Sequence, residues 1–260
     1  VDTVTIEEAA SLSFVSSDPT LQGTENLAWR AVEALQSAGG SAMPGLVTLD
    51  KAIPSAAGVG GASSDAAAAL LAGRAFWQLP LSDDDLTALA SALGSDVSFF
   101  LRGGTAYATG RGEMLEALPA PFAWFVIVSP DIRLERKTAR LYGALKPTDC
   151  SDGGAVREQM ARLSAGKPLD PALLGNAFTR PLLEILPELN ELRTLMSRHA
   201  GWSPALSGAG PTHYVVFDDP EAAARCGARL RAELGRAALV TDSPALLPRE
   251  RADVDSHSTT

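Results

Sequence analysis

Pro54-Ser55-Ala56-Ala57-Gly58-Val59-Gly60-Gly61-Ala62-Ser63-Ser64-Asp65 stands between a strand-like segment and a helix-like one. Ahead of it, Val47–Ile53 (VTLDKAI) alternates with the two-residue period of a strand; behind it, AAAALLAGRAFWQL is strongly helical. Glycines let a backbone approach a ligand closely and take positive φ values. The start of the helix offers unpaired N–H groups and the positive end of its dipole, both suited to phosphate. Ser63 and Ser64 add hydroxyls for a phosphate oxygen or a bound Mg²⁺. A Walker loop is excluded, because no lysine precedes a serine or threonine at the helix start. A dinucleotide fingerprint counted from Gly58 puts Ser63 where its last glycine belongs. The competing reading is a tight strand-to-helix turn that binds nothing. Two serines and a long alanine-rich helix favour a di- or triphosphate site instead.

Upstream, Val1–Ile6 alternates like a strand, with Ser11–Ser17 as its expected hairpin partner, and Asn26 caps a helix running to Ser37. Lys51, just before the loop, reads as a solvated strand-end residue, the alternative being an approach to a phosphate or base. Downstream, Ser82 and Asp85 form a capping-box pattern for a helix to Leu93. A second glycine turn, Gly94-Ser95-Asp96, precedes the apolar run Val97–Leu101, and strands are expected at Thr105–Thr109 and Trp124–Val128. The character changes near Ser129–Pro130, which divides the chain into 1–128 and 129–248. The second part is mostly helical. Leu182, Leu186, Leu189, Leu192 and Met196 keep helical spacing across Pro187, which should kink or restart that helix. A turn at Ser207–Gly210, a strand at Tyr214–Phe217, a helix at Pro220–Leu234 and a strand at Ala238–Thr241 follow. The polar stretch 249–260 is expected to be disordered.

The net charge of −9 argues against a duplex nucleic-acid surface, which needs clustered Lys and Arg, but leaves room for an anionic small substrate in a locally positive cleft. Cys150 and Cys226 lie too far apart in sequence for a CxxC site, consistent with a cytoplasmic setting. His199, His213 and His257 share no metal-ligand spacing, and Trp29, Trp77, Trp124 and Trp202 read as packing residues. No apolar stretch has the length of a membrane span.

Taken together, IP-x-x-AG-x-GG-x-SSDAA, LGSDV-x-FF, ATGRGE at Ala108–Glu113 and LSGAGPT at Leu206–Thr212 resemble, in order and spacing, the GHMP small-molecule kinases. The branch most resembled phosphorylates the 2-hydroxyl of 4-diphosphocytidyl-2-C-methyl-D-erythritol in non-mevalonate isoprenoid precursor biosynthesis. The resemblance implies an α+β fold of two domains with the active site in the cleft between them, ATP as co-substrate, Mg²⁺, and a monomer or weak homodimer. It implies that Pro54, Ser55, Ala56, Ala57, Gly58, Val59, Gly60, Gly61, Ala62, Ser63 and Ser64 hold the ATP phosphates. Asn26 either meets the adenine or is simply a helix cap. Asp96 is the implied catalytic residue, accepting or orienting the proton of the attacking hydroxyl. Thr138 and Tyr142 correspond to a T-x-x-x-[FY] segment that helps hold cytidine. Ser207, Gly208 and Gly210, counted with Asp96 among the substrate-binding residues, form a second glycine turn that closes the cleft near the phosphates.

The chain departs from the family pattern at Ala62, where a third glycine is usual, and at Ser98, where proline is usual. The family's PAK-x-NL strand, whose lysine works beside the aspartate, and its GYH segment are expected upstream of Val1. Residues 1–260 alone are accordingly expected to bind nucleotide but to transfer little phosphate. The alternatives are a GHMP kinase for homoserine, mevalonate or a sugar, and a nucleotide-binding module without turnover.

Overall fold

Asn26 starts the first helix as its sequence demands: the side chain accepts from the Ala28 N–H at 2.8 Å, and α1 (Leu27–Gly39) follows. The computed structural model describes residues 1–40, 43–132, 134–235 and 238–244. Before α1 come β1 (Thr3–Glu7) and β2 (Leu12–Ser16), which do not form the expected hairpin. Instead β3 (Gly45–Asp50) lies between them, antiparallel to β1 with Val4 opposite Leu49, and parallel to β2 with Phe14 opposite Val47. Burial explains the order. β3 encloses Val47 and Leu49 completely, as a central strand must, while the apolar positions of β1 and β2 are only half-buried. The parallel β2–β3 pair needs a crossover, and α1 supplies it.

The phosphate-loop segment leads into α2 (Gly61–Phe76), then α3 (Asp83–Leu93) and α4 (Ser95–Arg102). Both halves of the Ser82–Asp85 capping box are formed. The apolar run after Gly94 is α4 itself, so Gly94 separates two helices. α1 and α2 pack through small residues: a Cβ added at Gly73 would stand 2.6 Å from the Leu35 side chain. Ala31, Val32, Leu35, Leu49, Leu70 and Leu86 form the resulting core. A hairpin of β4 (Thr105–Thr109) and β5 (Met114–Leu118) closes this half. β5 escaped the sequence reading because only Leu115 and Leu118 are shielded along its length.

The second sheet has the order β7–β8–β6–β9, formed by β6 (Trp124–Pro130), β7 (Ala205–Leu206), β8 (His213–Phe217) and β9 (Ala238–Pro244), all neighbours antiparallel. Between β6 and β7 run α5 (Lys137–Ala144), α6 (Gly154–Ser164), α7 (Thr179–Ile185) and α8 (Leu189–Ala200), and α9 (Pro220–Leu234) joins β8 to β9. The helical stretch over 182–196 is interrupted at Leu186–Pro187 and resumes as α8, as the proline requires. Val126, Val128, Leu182, Met196, Val215 and Leu230 fill a core separate from the first. No helix among the described residues is long and apolar enough to cross a membrane. The stretch 249–260 lies outside the described residues.

Candidate active site

The two glycine turns singled out in the sequence meet backbone to backbone. Gly58 has φ +85, and a Cβ there would stand 2.6 Å from the Gly210 carbonyl oxygen and 2.7 Å from that of Ser207. The reciprocal contact is as tight, with a Cβ on Gly208 falling 2.8 Å from the Gly58 oxygen. The Ser207 hydroxyl donates to the Gly58 carbonyl at 2.9 Å, and the Thr212 N–H donates to the Ala57 carbonyl at 3.2 Å. Loop and turn, 149 residues apart at Ser207 and Gly58, therefore form one interlocked wall. Pro54, Ser55 and Ala56 are exposed on it, and Ala57 is buried beneath.

Gly60, at φ +74, caps α2 without any side-chain hydrogen bond, so the N–H groups of Gly61, Ala62 and Ser63 open the helix uncapped. Ser64 bonds back to the Gly61 carbonyl at 2.7 Å, which leaves Ser63 as the uncommitted hydroxyl among the described residues of this helix start. A Cβ on Gly60 would meet the Phe100 ring at 2.6 Å, so α4 packs directly against the loop. Asp96 lies four residues before Phe100 and hence on the same face of α4, in its first turn and exposed. Asn26 is engaged at both ends of its amide, accepting from Ala28 and donating to the Leu21 carbonyl at 2.8 Å, so its capping role is realised.

Lys51 is not the solvated strand-end residue expected. Its ammonium is buried and bonds both Asp2 and Asp65, the latter at 2.8 Å. Asp2 also accepts from the Ala52 and Ile53 N–H groups at 2.7 and 2.8 Å. Those bonds hold the Asp2 carboxyl below its usual range against the opposing cost of burial. Burial, with Asp2 as a second negative neighbour, pushes the Asp65 carboxyl up to about 6 although Lys51 pulls it down. The cluster sits at the end of β3, directly under the loop. A cavity of about 300 Å³ opens beside it, lined on one side by Lys51, Pro54 and Ser55 and on the other by Ser129, Asp131 and Pro211. It is thus a cleft between the two halves of the chain.

α5 carries Thr138 and Tyr142, both exposed. The Tyr142 ring meets Phe178 edge-on at 5.0 Å and 81° while remaining 62% exposed, which leaves ring surface free for stacking. The same helix begins with Lys137, whose buried ammonium donates to the Ala56 and Gly210 carbonyls. No group of three His, Cys, Asp or Glu side chains able to hold a metal occurs among the described residues.

The model of the GHMP kinase N-terminal domain matches residues 26–104, and that of the GHMP kinase C-terminal domain matches 152–236. The chain belongs to the GHMP kinase family. Among its relatives, the 4-diphosphocytidyl-2-C-methyl-D-erythritol kinase of Pelotomaculum thermopropionicum is 40% identical over 211 residues, covering 80% of this chain and 73% of that protein. The enzyme of the same name from Geobacter sulfurreducens is 34% identical over 220 residues, covering 84% and 76%. A crystal structure of 4-(cytidine 5'-diphospho)-2C-methyl-D-erythritol kinase superposes with a TM-score of 0.74 at 35% identity, over 93% of this chain and 85% of that one. Homoserine kinase from Cytophaga hutchinsonii superposes almost as well, with a TM-score of 0.73, but at 17% identity it shares only the fold. In this GHMP kinase Pro54, Ser55, Ala57 and Pro211 of the interlocked turns line the cleft, whereas Asp96, Thr138 and Tyr142 are exposed residues outside its lining. The sequence reading missed the Lys51 cluster and Lys137. A lysine just before the phosphate loop was a signal for Lys51, whereas nothing in the sequence near Lys137 pointed to its carbonyl partners 81 and 73 residues away.

Proposed function

We propose that this GHMP kinase transfers the γ-phosphoryl group of ATP to the 2-hydroxyl of 4-diphosphocytidyl-2-C-methyl-D-erythritol, a step in non-mevalonate isoprenoid precursor biosynthesis. The observation that carries the reading is the uncapped N-terminus of α2 beneath a glycine loop, in a chain 40% identical to a relative bearing that enzyme name. Phosphoryl transfer asks a protein chiefly for positioning and charge stabilisation. Residues Pro54 to Ser64 hold the phosphates through the α2 N–H groups and the Ser63 hydroxyl. Asp96 accepts, or orients, the proton of the attacking hydroxyl. That oxygen bonds the γ-phosphorus as the bond to the ADP oxygen breaks. Thr138 and the Tyr142 ring take the cytidine, and the Ser207–Gly210 turn closes the wall behind the phosphates.

Mg²⁺ fits this donor set. The ion is held mainly by phosphate oxygens and asks only one or two oxygens of a protein, which Ser63 and Asp96 offer; when bound it would neutralise phosphate charge. Unpaired Cys150 and Cys226 accord with a reducing cytoplasm, and we propose a monomer or weak homodimer.

The test is a substrate panel followed by ADP release in the full-length protein. The cytidine substrate should exceed homoserine, mevalonate and simple sugars in kcat/KM by at least ~100-fold, the discrimination expected when buried polar groups demand a partner. Tyr142→Ala should raise KM for the cytidine substrate and leave that for ATP unchanged. Comparable turnover of homoserine or mevalonate would overturn the assignment.

A further inference from the structure

The molecule buries two lysine ammonium groups at this cleft and treats them differently. Lys51 meets two carboxylates, Asp2 and Asp65. Lys137 is 9% exposed and meets none: both of its hydrogen bonds go to backbone carbonyls, of Ala56 and Gly210, and burial alone acts on its titration, drawing it down. Burying an ammonium without a counter-ion is costly, and the interior compensates such a charge poorly with neutral carbonyls. An ammonium also has three N–H donors. Two are taken here, and the third has no acceptor among the described residues.

Its position gives the uncompensated charge a use. Ala56 belongs to the phosphate loop and Gly210 to the opposing turn, so the ammonium lies in the seam between them. Ala56 takes φ +58, a left-handed conformation alanine seldom adopts, and its carbonyl is one of the two that Lys137 holds. The loop itself, residues 54–65, contains no lysine. We propose that Lys137 is a polyphosphate-binding and loop-positioning residue of the nucleotide site. It ties the phosphate loop to the Gly210 turn, and the nucleotide's phosphates complete the charge that the protein leaves unpaired. This inference rests on the nucleotide reading given above.

The test compares ATP, ADP and adenosine binding by calorimetry in the full-length wild type and in Lys137→Met, Lys137→Gln and Lys137→Arg. Loss of the charge should weaken ATP by about tenfold or more and ADP by less, and leave adenosine unchanged, while Arg retains most of the ATP affinity. Lys137→Gln keeps a donor for one carbonyl and serves if the Met variant does not fold. A merely structural lysine would weaken all three ligands together, or lower the melting temperature with affinities unchanged; either result overturns the proposal, as does failure of both neutral variants to fold. If the wild type binds no ATP, the nucleotide reading itself fails, and that outcome is distinct from an unaffected variant beside a binding wild type.

Discussion

Asp65 occupies an awkward position, buried beside a second carboxylate with one lysine between them. Its folded pKa of about 6 lies above the ordinary 3.8. The folded state therefore holds this proton more tightly than the unfolded chain does. The contribution to stability is present below the unfolded value and is lost as pH rises through about 6. Asp65→Asn keeps an oxygen for Lys51 and removes the excess charge, leaving Lys51 matched by Asp2. We expect the variant to be more stable than wild type by roughly 1–3 kcal/mol at pH 8, with the difference vanishing toward pH 4. Urea unfolding across that range would show it, and a variant equally destabilised at both ends would contradict it. His213 acts in the opposite direction. It is fully buried, its Nε2 lacks a partner among the described residues, and burial lowers its pKa to about 4. Its contribution is present above the ordinary 6.5 and is lost as pH falls through about 4. Neither group's environment could be read from the sequence. Lys51 lies 49 residues from Asp2 and 14 from Asp65, and Lys137 lies 81 and 73 residues from its two carbonyls. Local periodicity carries no information about such pairings.

Elements with local chemistry at their ends were legible. The Ser82–Asp85 box and Asn26 mark helix starts through bonds closed within three residues, and the structure forms both of them. β1 and β2 were legible as strands but not as partners. Alternation shows that a strand has a shielded face; it does not show which strand lies next to it. The glycine loop was legible as a strand-to-helix turn because composition and position agree. What the sequence left open was its backing, since the contact with Gly210 depends on how the two halves meet. That contact yields a sharp expectation for Gly58→Ala. The added methyl would enter a positive-φ position and meet Gly210 backbone atoms at 2.6 to 2.7 Å, where no flexible side chain can move aside. Strain and overpacking together should cost roughly 2–5 kcal/mol and weaken nucleotide binding. Thermal unfolding with and without ATP measures both, and an unchanged ATP-induced shift would mean that the interlock is irrelevant to the site.

At the scale of the whole molecule, two separate hydrophobic cores carry two sheets, and the glycine turns of the two halves touch, where we propose the site lies. Each half contributes what the other lacks. In the proposed function the first brings the open helix start and Asp96, and the second brings Gly210, Lys137 and the exposed Tyr142 ring. The motif order in the sequence already implied such a cleft, whereas the backbone interlock that builds it became visible only in three dimensions. The most direct measurement is transfer of label from [γ-³²P]ATP in the full-length protein, with 4-diphosphocytidyl-2-C-methyl-D-erythritol as acceptor. Label should appear on the cytidine compound with one equivalent of ADP. Asp96→Asn should bind ATP as before yet transfer at least ~100-fold more slowly, the scale of a positioned acid–base group. Label appearing only as inorganic phosphate, or an Asp96→Asn variant transferring at the wild-type rate, would contradict the account.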